Sequence, residues 1–344
     1  MVDDSITPFF VAGTTLTEEF RQFQKLLVGV RNIVLTTHIN PDADGIGCEL
    51  ALAAYLKRAD KKVSILNHSE TPDNLLFLDP HREVLRFDPA KHKDLVLSAD
   101  LVCVLDTNHP DRLADVGPFV LESKARKVCI DHHLEPGAFA DLYILDEAST
   151  ATGEIIYQLL TFLDAKAITS NVAEYLYSAI MTDTGSFRYP KTDPEIHRII
   201  AHLVEAGANP TSIYQEIYDQ NSPGRLRLLG MSLASLSSAH SGKVVYMTVT
   251  RKMFADTGTS EADTDAFVPY TLSVQGAEIG LLFVELSGGM VKISFRAKGD
   301  IHINKLAQEF GGNGHQHAAG ARIRNADLSE VVRAVLEKAN KYIH

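Results

Sequence analysis

The first half of the chain alternates short apolar runs, rich in β-branched residues, with segments of helical periodicity. The predicted strands are 33–37, 63–66, 101–105 and 128–130, and the predicted helices are 45–58 and 153–163. Strands that alternate with helices are typical of a parallel sheet covered by helices. The pattern therefore predicts an α/β fold for this half, with an N-terminal parallel-sheet domain.

The pattern becomes helical between residue 171 and about residue 236. Gly207-Ala208-Asn209-Pro210 and Ser222-Pro223-Gly224 interrupt it with signals that end helices and begin loops. A chain of 344 residues also exceeds what one hydrophobic core usually serves. We therefore predict a first domain at 1–190, a helical linker at 191–230 and a second domain at 231–344.

The last third predicts a smaller α/β domain. Its predicted strands are 243–250, 278–286 and 291–297, and its predicted helices are 303–310 and 328–340, with a glycine-rich loop between the two helices. Gly288-Gly289 separates two of the strands and indicates a hairpin turn.

Carboxylates and imidazoles follow four apolar runs. They are His38, Asp42 and Asp44 after the first run, Asp106 after 101–105, Asp131, His132 and His133 after 128–130, and Asp183 after 178–182. Ligands of parallel sheets bind beyond the carboxyl ends of the strands, where we expect these side chains to meet. Unpaired buried charges cost several kcal/mol, so such a cluster needs a compensating cation. The economical interpretation is a two-metal site.

Five motifs occur in order between His38 and Gly320. They are H-x-N-P-D-x-D, a single strand-end aspartate, D-H-H, T-D-T-G and a terminal G-G-x-G-H-x-x-A-A-G. In this order they resemble the DHH phosphoesterases with a C-terminal DHH-associated domain. The small stand-alone members are most similar, namely the nanoRNase and 3′-phosphoadenosine-5′-phosphate (pAp) phosphatase type, also called exopolyphosphatase-related proteins.

The resemblance implies two sets of metal ligands. The first set is His38, Asp42 and Asp106, and the second is Asp44, Asp106, His132 and Asp183, so that Asp106 bridges two ions. Mixed carboxylate and imidazole sets suit Mn(II) better than Zn(II). Two ions about 3.5–4 Å apart can activate water and stabilise both oxygens of an in-line attack on phosphorus.

The D-H-H motif predicts different roles for its two histidines, because neighbouring residues of a strand point opposite ways. We expect His132 to bind metal and His133 to bind the scissile phosphate. Asp131 is expected to orient an imidazole as a hydrogen-bond acceptor. His133, Asp106 and Asp131 are thus the candidate catalytic residues.

Five residues are candidates for substrate binding. Arg112 follows the bridging aspartate by six residues and can clamp a phosphate through two hydrogen bonds. Arg296 and His315 are expected to bind the end of the substrate that lies away from the metals. Gly312 and Gly314 can present bare backbone N–H groups to a phosphate.

Charge limits the class of partner. With a net charge of −11, the chain lacks the basic surface that holds long nucleic acid, whereas a short phosphorylated ligand is compatible because bound divalent cations reverse the local sign. The expected partners are therefore short RNA oligonucleotides or small phosphorylated nucleotides, with no long nucleic acid and no membrane. Whether the chain forms a homodimer is left open.

The start of the chain and its cysteines indicate a cytoplasmic location. Met1-Val2-Asp3-Asp4-Ser5 is acidic, and no apolar run approaches the roughly 18 residues that a membrane span needs. The three cysteines form no C-x-x-C pair and are expected to be buried thiols.

The leading hypothesis is a Mn(II)-dependent phosphoesterase that degrades short oligoribonucleotides to mononucleotides and dephosphorylates pAp. The first domain would supply the metals, the second would recognise the nucleotide end, and the cleft between them would limit substrate length. Alternatives are hydrolysis of linear or cyclic dinucleotides (pApA, cyclic di-AMP) or of pyrophosphate and polyphosphate, the latter disfavoured by the glycine-rich C-terminal segment. A nucleotide-sensing module is disfavoured because no expected ligand residue is replaced.

Overall fold

The computed structural model describes residues 15–343, which fall into two compact units. The first unit ends at Gln220 and the second begins at Asn221. This boundary lies within the segment predicted as a linker, whose limits at 190 and 230 stay predictions. The acidic stretch at residues 1–5 lies outside the described residues. Within 15–343, no helix combines the length and the apolar character needed to cross a membrane.

The first unit is built on a six-stranded sheet in which every neighbouring pair is parallel. Its strands are β1 (Asn32–Thr36), β2 (Lys62–Asn67), β3 (Val84–Arg86), β4 (Leu101–Leu105), β5 (Arg126–Asp131) and β6 (Leu142–Leu145). Their order across the sheet is β3-β2-β1-β4-β5-β6. The predicted α/β class is confirmed, and the prediction missed only the short edge strands β3 and β6.

Eight helices of the described residues belong to this unit. They are α1 (Thr17–Gly29), α2 (Ala43–Arg58), α3 (Pro89–Leu97), α4 (Gly117–Glu122), α5 (Thr152–Leu163), α6 (Ser170–Asp183), α7 (Pro194–Glu205) and α8 (Pro210–Tyr218). The apolar run before Asp183, residues 178–182, forms the last turns of α6, in agreement with the helical pattern predicted from residue 171 onward.

Helix α2 lies in the middle of the core and packs against both α5 and α6. A side chain at Gly47 would collide with the carbonyl of Tyr175 in α6, so the glycine lets the two helices approach closely. The opposite face of the sheet is covered by a smaller apolar cluster that includes Val34, Val102 and Val120. Burial of both faces is usual for parallel sheets. The described cysteines are buried free thiols, as expected.

The second unit contains a mixed sheet, because β8 and β9 pair in parallel while its other neighbours are antiparallel. Its strands are β7 (Ser237–Ala239), β8 (Val244–Val249), β9 (Ile279–Leu286), β10 (Met290–Ala297), β11 (Asn313–His315) and β12 (Ala318–Ile323), in the order β11-β12-β10-β9-β8-β7. Its helices are α9 (Pro223–Ala234), α10 (Arg251–Thr257), α11 (Pro269–Leu272), α12 (Ile303–Gln308) and α13 (Leu328–Ala339).

Two glycine segments of this unit form hairpins. Gly288 and Gly289 have φ of 69° and 67°, a left-handed turn that confirms the predicted β9–β10 hairpin. The glycine-rich segment 311–320, by contrast, was predicted to be a loop, and the structure shows strands β11 and β12 there. A side chain at Gly312 or Gly314 would overlap carbonyl oxygens of the facing strand, so these glycines permit close strand pairing.

Helix α2 also buries a carboxyl group completely. Oε2 of Glu49 accepts a hydrogen bond from Nδ2 of Asn67 (2.8 Å), and Oδ1 of Asn67 accepts one from the backbone N–H of Thr37 (3.1 Å). Burial raises the pKa of Glu49 to about 8, against the opposing effect of the Asn67 hydrogen bond. The group is therefore protonated in the native state at neutral pH.

We expect this carboxyl group to make stability fall as pH rises. Because the pKa of Glu49 is raised from 4.5 to about 8, its stabilising protonated form is fully present below pH 4.5 and is lost as pH approaches 8. The free energy of unfolding of the wild type, relative to Glu49→Gln, should fall by up to about 1.4 kcal/mol per pH unit in this window.

Urea unfolding of both proteins at pH 5.5, 6.5 and 7.5, in the presence of chelator, checks this expectation. The exposed Glu122→Gln substitution is the matched control and should follow the wild type at every pH. Parallel curves for wild type and Glu49→Gln would contradict the assignment.

Candidate metal centre

The sequence-predicted metal ligands come together at the carboxyl edge of the parallel sheet. Their donor atoms form three groups among the described residues, each with its atoms within 4.8 Å of one another: His38, Asp42 and Asp106; Asp44, His132 and Asp183; and Asp106, Asp131, His132 and His133. The first group has the same members as the first ligand set that the family resemblance implied, and the second group contains three of the four members of the second set, without Asp106. Asp106 belongs to the first and third groups.

His38 is held as a neutral donor. Its Nδ1 lies 2.9 Å from the carbonyl oxygen of Ile39, so Nδ1–H can donate there and leave the Nε2 lone pair for a cation. Nε2 lies 3.2 Å from Oδ2 of Asp106 and 3.9 Å from Oδ2 of Asp42. Burial lowers the pKa of His38, which Asp42 opposes only partly, and the neutral form is the one that binds metal.

Asp42 caps helix α2 and still offers an oxygen to the site. Its Oδ1 accepts hydrogen bonds from the backbone N–H groups of Asp44 and Gly45 (3.0 and 3.2 Å), while Oδ2 faces His38. Asp42 lies before the helix and Asp44 in its first turn. Two carboxylates only two residues apart therefore join different donor groups.

Asp44 is fully buried at the N-terminus of another helix. The backbone N–H groups of Thr152 and Gly153, at the start of α5, donate to its two oxygens over 2.7 and 2.8 Å. Burial raises the pKa of Asp44 to about 7, and the neighbouring Asp183 carboxylate adds to the effect. A bound cation would offset both.

Thr152 and Gly153 were missed by the sequence interpretation. A local signal existed, because Ala151 occupies the N-cap of α5 and offers no side-chain acceptor. The unsatisfied N–H groups of this helix need a distant acceptor, and Asp44 provides it.

Asp106 adopts a left-handed backbone conformation with φ of 56° directly after β4. Aspartate tolerates this region better than most residues, at a modest cost. Its Oδ2 lies 3.2 Å from Nε2 of His38, and its Oδ1 accepts a hydrogen bond from Oγ1 of Thr152 (3.1 Å) and lies 3.8 Å from Nε2 of His132. Burial and the surrounding carboxylates raise the pKa of Asp106 well above its usual range. The two oxygens thus face different donor groups.

His132 points its Nε2 into three carboxylates. The distances are 3.2 Å to Asp183, 3.8 Å to Asp106 and 3.9 Å to Asp44, yet this buried nitrogen makes no hydrogen bond with any described group. Burial opposes protonation, but the Asp183 and Asp44 carboxylates outweigh it and raise the pKa of His132 to about 9. A buried nitrogen without a hydrogen bond, facing several carboxylates, fits a divalent cation.

Asp131 orients the second histidine of the D-H-H motif. Its Oδ1 lies 2.7 Å from Nδ1 of His133 and accepts the backbone N–H of His132 at 2.9 Å. Both histidines follow β5, which ends at Asp131, so the expected strand alternation does not apply to them. They still differ, because the side chain of His132 is 12% exposed and that of His133 is 40% exposed.

Arg112 lies beside the donor groups. Its carbonyl oxygen accepts the backbone N–H of Ile39 (2.7 Å), which ties its loop to the segment that carries His38. The Arg112 guanidinium is close enough to contribute to lowering the pKa of His38. The first unit therefore places an exposed cation next to the predicted metal ligands, where it could bind a phosphate.

The other substrate-binding candidates lie in the second unit. Arg296 on β10 and residue 315 on β11 both pair with Ala318, while the side chain of His315 lies outside what the structure describes. The expectation that Gly312 and Gly314 present bare backbone N–H groups to a phosphate is wrong. Gly312 N–H donates to the Ala307 carbonyl (2.9 Å) and Gly314 N–H to Oδ1 of Asn313 (2.8 Å), so neither donor is bare.

A parallel α/β sheet that gathers carboxylates and imidazoles at its carboxyl edge fits the class of metal-dependent hydrolases. Two family models match the chain, the DHH family N-terminal domain over residues 32–180 and the DHHA1 domain over residues 241–344. The chain belongs to the DHH family, as the motifs indicated, and is a metal-dependent phosphoesterase.

Individual relatives cover nearly the whole chain. It is 31% identical over 323 residues to the bifunctional oligoribonuclease and PAP phosphatase NrnA of Thermus thermophilus, covering 93% of each protein. The NrnA of Bacillus subtilis is 26% identical over 309 residues, which cover 89% of this chain and 93% of that protein. The crystal structure of an exopolyphosphatase-related protein from Bacteroides fragilis superposes with a TM-score of 0.88 at 30% identity, covering 94% of this chain and 97% of that one.

Proposed function

We propose that this chain is a two-metal phosphoesterase that hydrolyses short oligoribonucleotides to mononucleotides and pAp to AMP. The observation that carries the proposal is the position of Asp106, whose Oδ2 faces His38 and whose Oδ1 faces His132. The substrate class is supported by the two NrnA relatives, which are named for short RNA and for pAp.

The donor groups suggest how two ions would be held. His38 and Asp42 would bind one ion, Asp44, His132 and Asp183 would bind the other, and Asp106 would be shared. We assign a preference for Mn(II), because both groups mix imidazole nitrogen with carboxylate oxygen. When bound, such ions polarise phosphate oxygens and lower the pKa of water.

His133 is assigned to the scissile phosphate. Because Asp131 lies against Nδ1, it fixes the ring and leaves Nε2 free to contact a phosphate oxygen at the half-exposed edge of the cluster. Arg112 is assigned to the same phosphate, since its guanidinium is exposed and lies near His38. Together they would supply positive charge and hydrogen bonds where charge develops during attack.

The net charge of −11 favours a short substrate. Long RNA would need a basic track of Lys and Arg contacts, whereas a short oligomer needs contacts only at the reacting phosphate and at one end. We assign binding of that end of the substrate to Arg296, His315 and the hairpin of Gly312 and Gly314. The glycines would shape the hairpin and would not donate to the phosphate. A cytoplasmic location and a homodimer stay predictions.

We expect turnover to fall sharply as RNA grows beyond a few nucleotides. The test is the Mn(II)-dependent kcat/KM on RNA of 2, 3, 5, 10 and 20 nucleotides, beside pAp, pApA, cyclic di-AMP and pyrophosphate. Arg296→Ala should raise KM for short RNA about tenfold, a loss of about 1.4 kcal/mol. Arg324→Ala, an exposed arginine of the same unit, is the matched control.

Equal kcat/KM on dinucleotides and long strands would contradict the length limit. Unchanged kinetics of Arg296→Ala would remove the second unit from substrate recognition. Hydrolysis confined to cyclic di-AMP or to pyrophosphate would overturn the proposed substrate class.

A further inference from the structure

The loop that follows Asp183 is held in an unusual conformation. Gly185, Ser186 and Phe187 have φ of 57°, 58° and 64°, three consecutive residues in the left-handed region. A bulky residue such as phenylalanine rarely adopts this region, so surrounding contacts must enforce it. The structure supplies them, because Ser186 N–H donates to the carbonyl of Met181 (2.7 Å) and Phe187 N–H donates to Oγ1 of Thr184 (3.0 Å).

The Phe187 ring anchors the loop from inside. It packs against Tyr177 and His197, each with a centroid distance of 6.0 Å. The inward turn of Phe187 leaves Arg188 and Tyr189 exposed on the outer side. The loop is thus built to present these two side chains directly after a candidate metal ligand.

Tyr189 lies flat against the start of the loop. Its backbone N–H donates to the carbonyl of Thr184 (3.1 Å), the residue next to Asp183. A Cβ atom at Gly185 would lie 2.6 Å from the Tyr189 ring, so the glycine provides room for the ring as well as its backbone conformation. The residue is nevertheless 55% exposed.

Helix α8 adds two more tyrosines to this surface. Tyr214 and Tyr218 are 45% and 37% exposed, and their ring centroids are 4.9 Å apart. The Tyr218 hydroxyl makes a hydrogen bond with Ser186 in the loop, and Tyr189 and Tyr214 are its aromatic neighbours. Three partly exposed rings therefore belong to one surface beside the loop.

Arg188 completes this surface. Its Nε donates to the carbonyl of Gly185 (2.6 Å), which fixes the side chain, while the residue as a whole stays exposed. None of the ion pairs found within residues 15–343 involves Arg188. A guanidinium that is fixed but not neutralised, beside open aromatic rings, matches a ligand that carries both a phosphate and a flat apolar ring.

We propose that Tyr189, Tyr214 and Tyr218 form a stacking platform for a nucleobase of the substrate, with Arg188 binding the attached phosphate. This inference rests on the proposed function and adds the surface that would recognise a base of the substrate. Every nucleobase has a π face, and stacking on an aromatic side chain contributes about 1–3 kcal/mol per base without selecting a sequence. The base on the platform would belong to the nucleotide that adjoins the scissile phosphate on the side of the cluster where Asp183 lies.

The test compares an RNA dinucleotide with its abasic analogue, in which hydrogen replaces one base. Tyr189→Leu/Tyr214→Leu should raise KM for the RNA dinucleotide at least tenfold with little change in kcat, and should leave the abasic analogue unaffected. Tyr189→Phe/Tyr214→Phe keeps the rings and should retain wild-type kinetics. Tyr270→Leu, an exposed tyrosine of the second unit, is the matched control.

An unchanged KM in the double leucine variant would overturn the platform and leave the proposed function intact. An equal loss on both substrates overturns it too, since that loss would reflect damage near Asp183. A change of oligomeric state in the variant, measured by sedimentation, would identify the surface as a contact between copies of the chain and would also overturn the platform. A wild type that cleaves no RNA overturns the proposed function, and the platform with it.

Discussion

We expect Asp106→Asn to abolish turnover of short RNA, with kcat/KM at least about a thousandfold below wild type, or about 4 kcal/mol of transition-state stabilisation. Asparagine keeps the size of the side chain and can still accept the hydrogen bond from Thr152. It loses the charge that faces both donor groups. The fold should survive, because removing one of several buried carboxylates relieves their mutual repulsion when no metal is bound.

Steady-state kinetics with Mn(II), together with circular dichroism and thermal unfolding, check this expectation. The exposed Asp111→Asn is the control from a nearby loop and should behave as wild type. Activity of Asp106→Asn within tenfold of wild type, a barrier change of about 1.4 kcal/mol, would refute the shared-ligand assignment.

The second large effect concerns the metal itself. Mn(II) added to chelator-treated protein should stabilise it by about 2.7 kcal/mol at a hundred times the dissociation constant. For a unit of this size the gain corresponds to a rise of about 5–10 °C in Tm. The physical reason is that a cation offsets the mutual repulsion and burial of Asp44 and Asp106.

Differential scanning fluorimetry over a Mn(II) titration measures the shift. Asp106→Asn should show a smaller shift than wild type, and Asp111→Asn an equal one. If Mn(II) leaves the Tm of wild type unchanged and chelator leaves its activity unchanged, these residues do not form a metal site.

The strand ends of the catalytic unit could be predicted from sequence because buried parallel strands are continuous apolar runs. Strands β1, β4 and β5 were located in this way, and the polar residues that follow each of them could be placed at one edge of the sheet. Asp183 differs from these residues because the run before it is helical. It reaches the same place because α6 packs against α2 and ends beside His132.

Other parts of the site depend on contacts that no local pattern contains. Asp44 accepts hydrogen bonds from Thr152 and Gly153, more than a hundred residues away, and only the fold shows that α5 begins there. The left-handed turn at Asp106 likewise follows from its surroundings, since aspartate has no strong preference for that conformation. The glycine-rich segment was predicted as a loop because glycine permits loops and close strand pairing alike.

The most direct test of the account is hydrolysis of an RNA dinucleotide by the metal-stripped chain before and after Mn(II) is restored. We predict no release of mononucleotides in the presence of chelator, and rapid release on addition of Mn(II) to wild type but not to Asp106→Asn. Equal release with chelator and with Mn(II), or no release from the dinucleotide under either condition, would contradict the proposal that this cluster is a metal centre for cleaving short RNA.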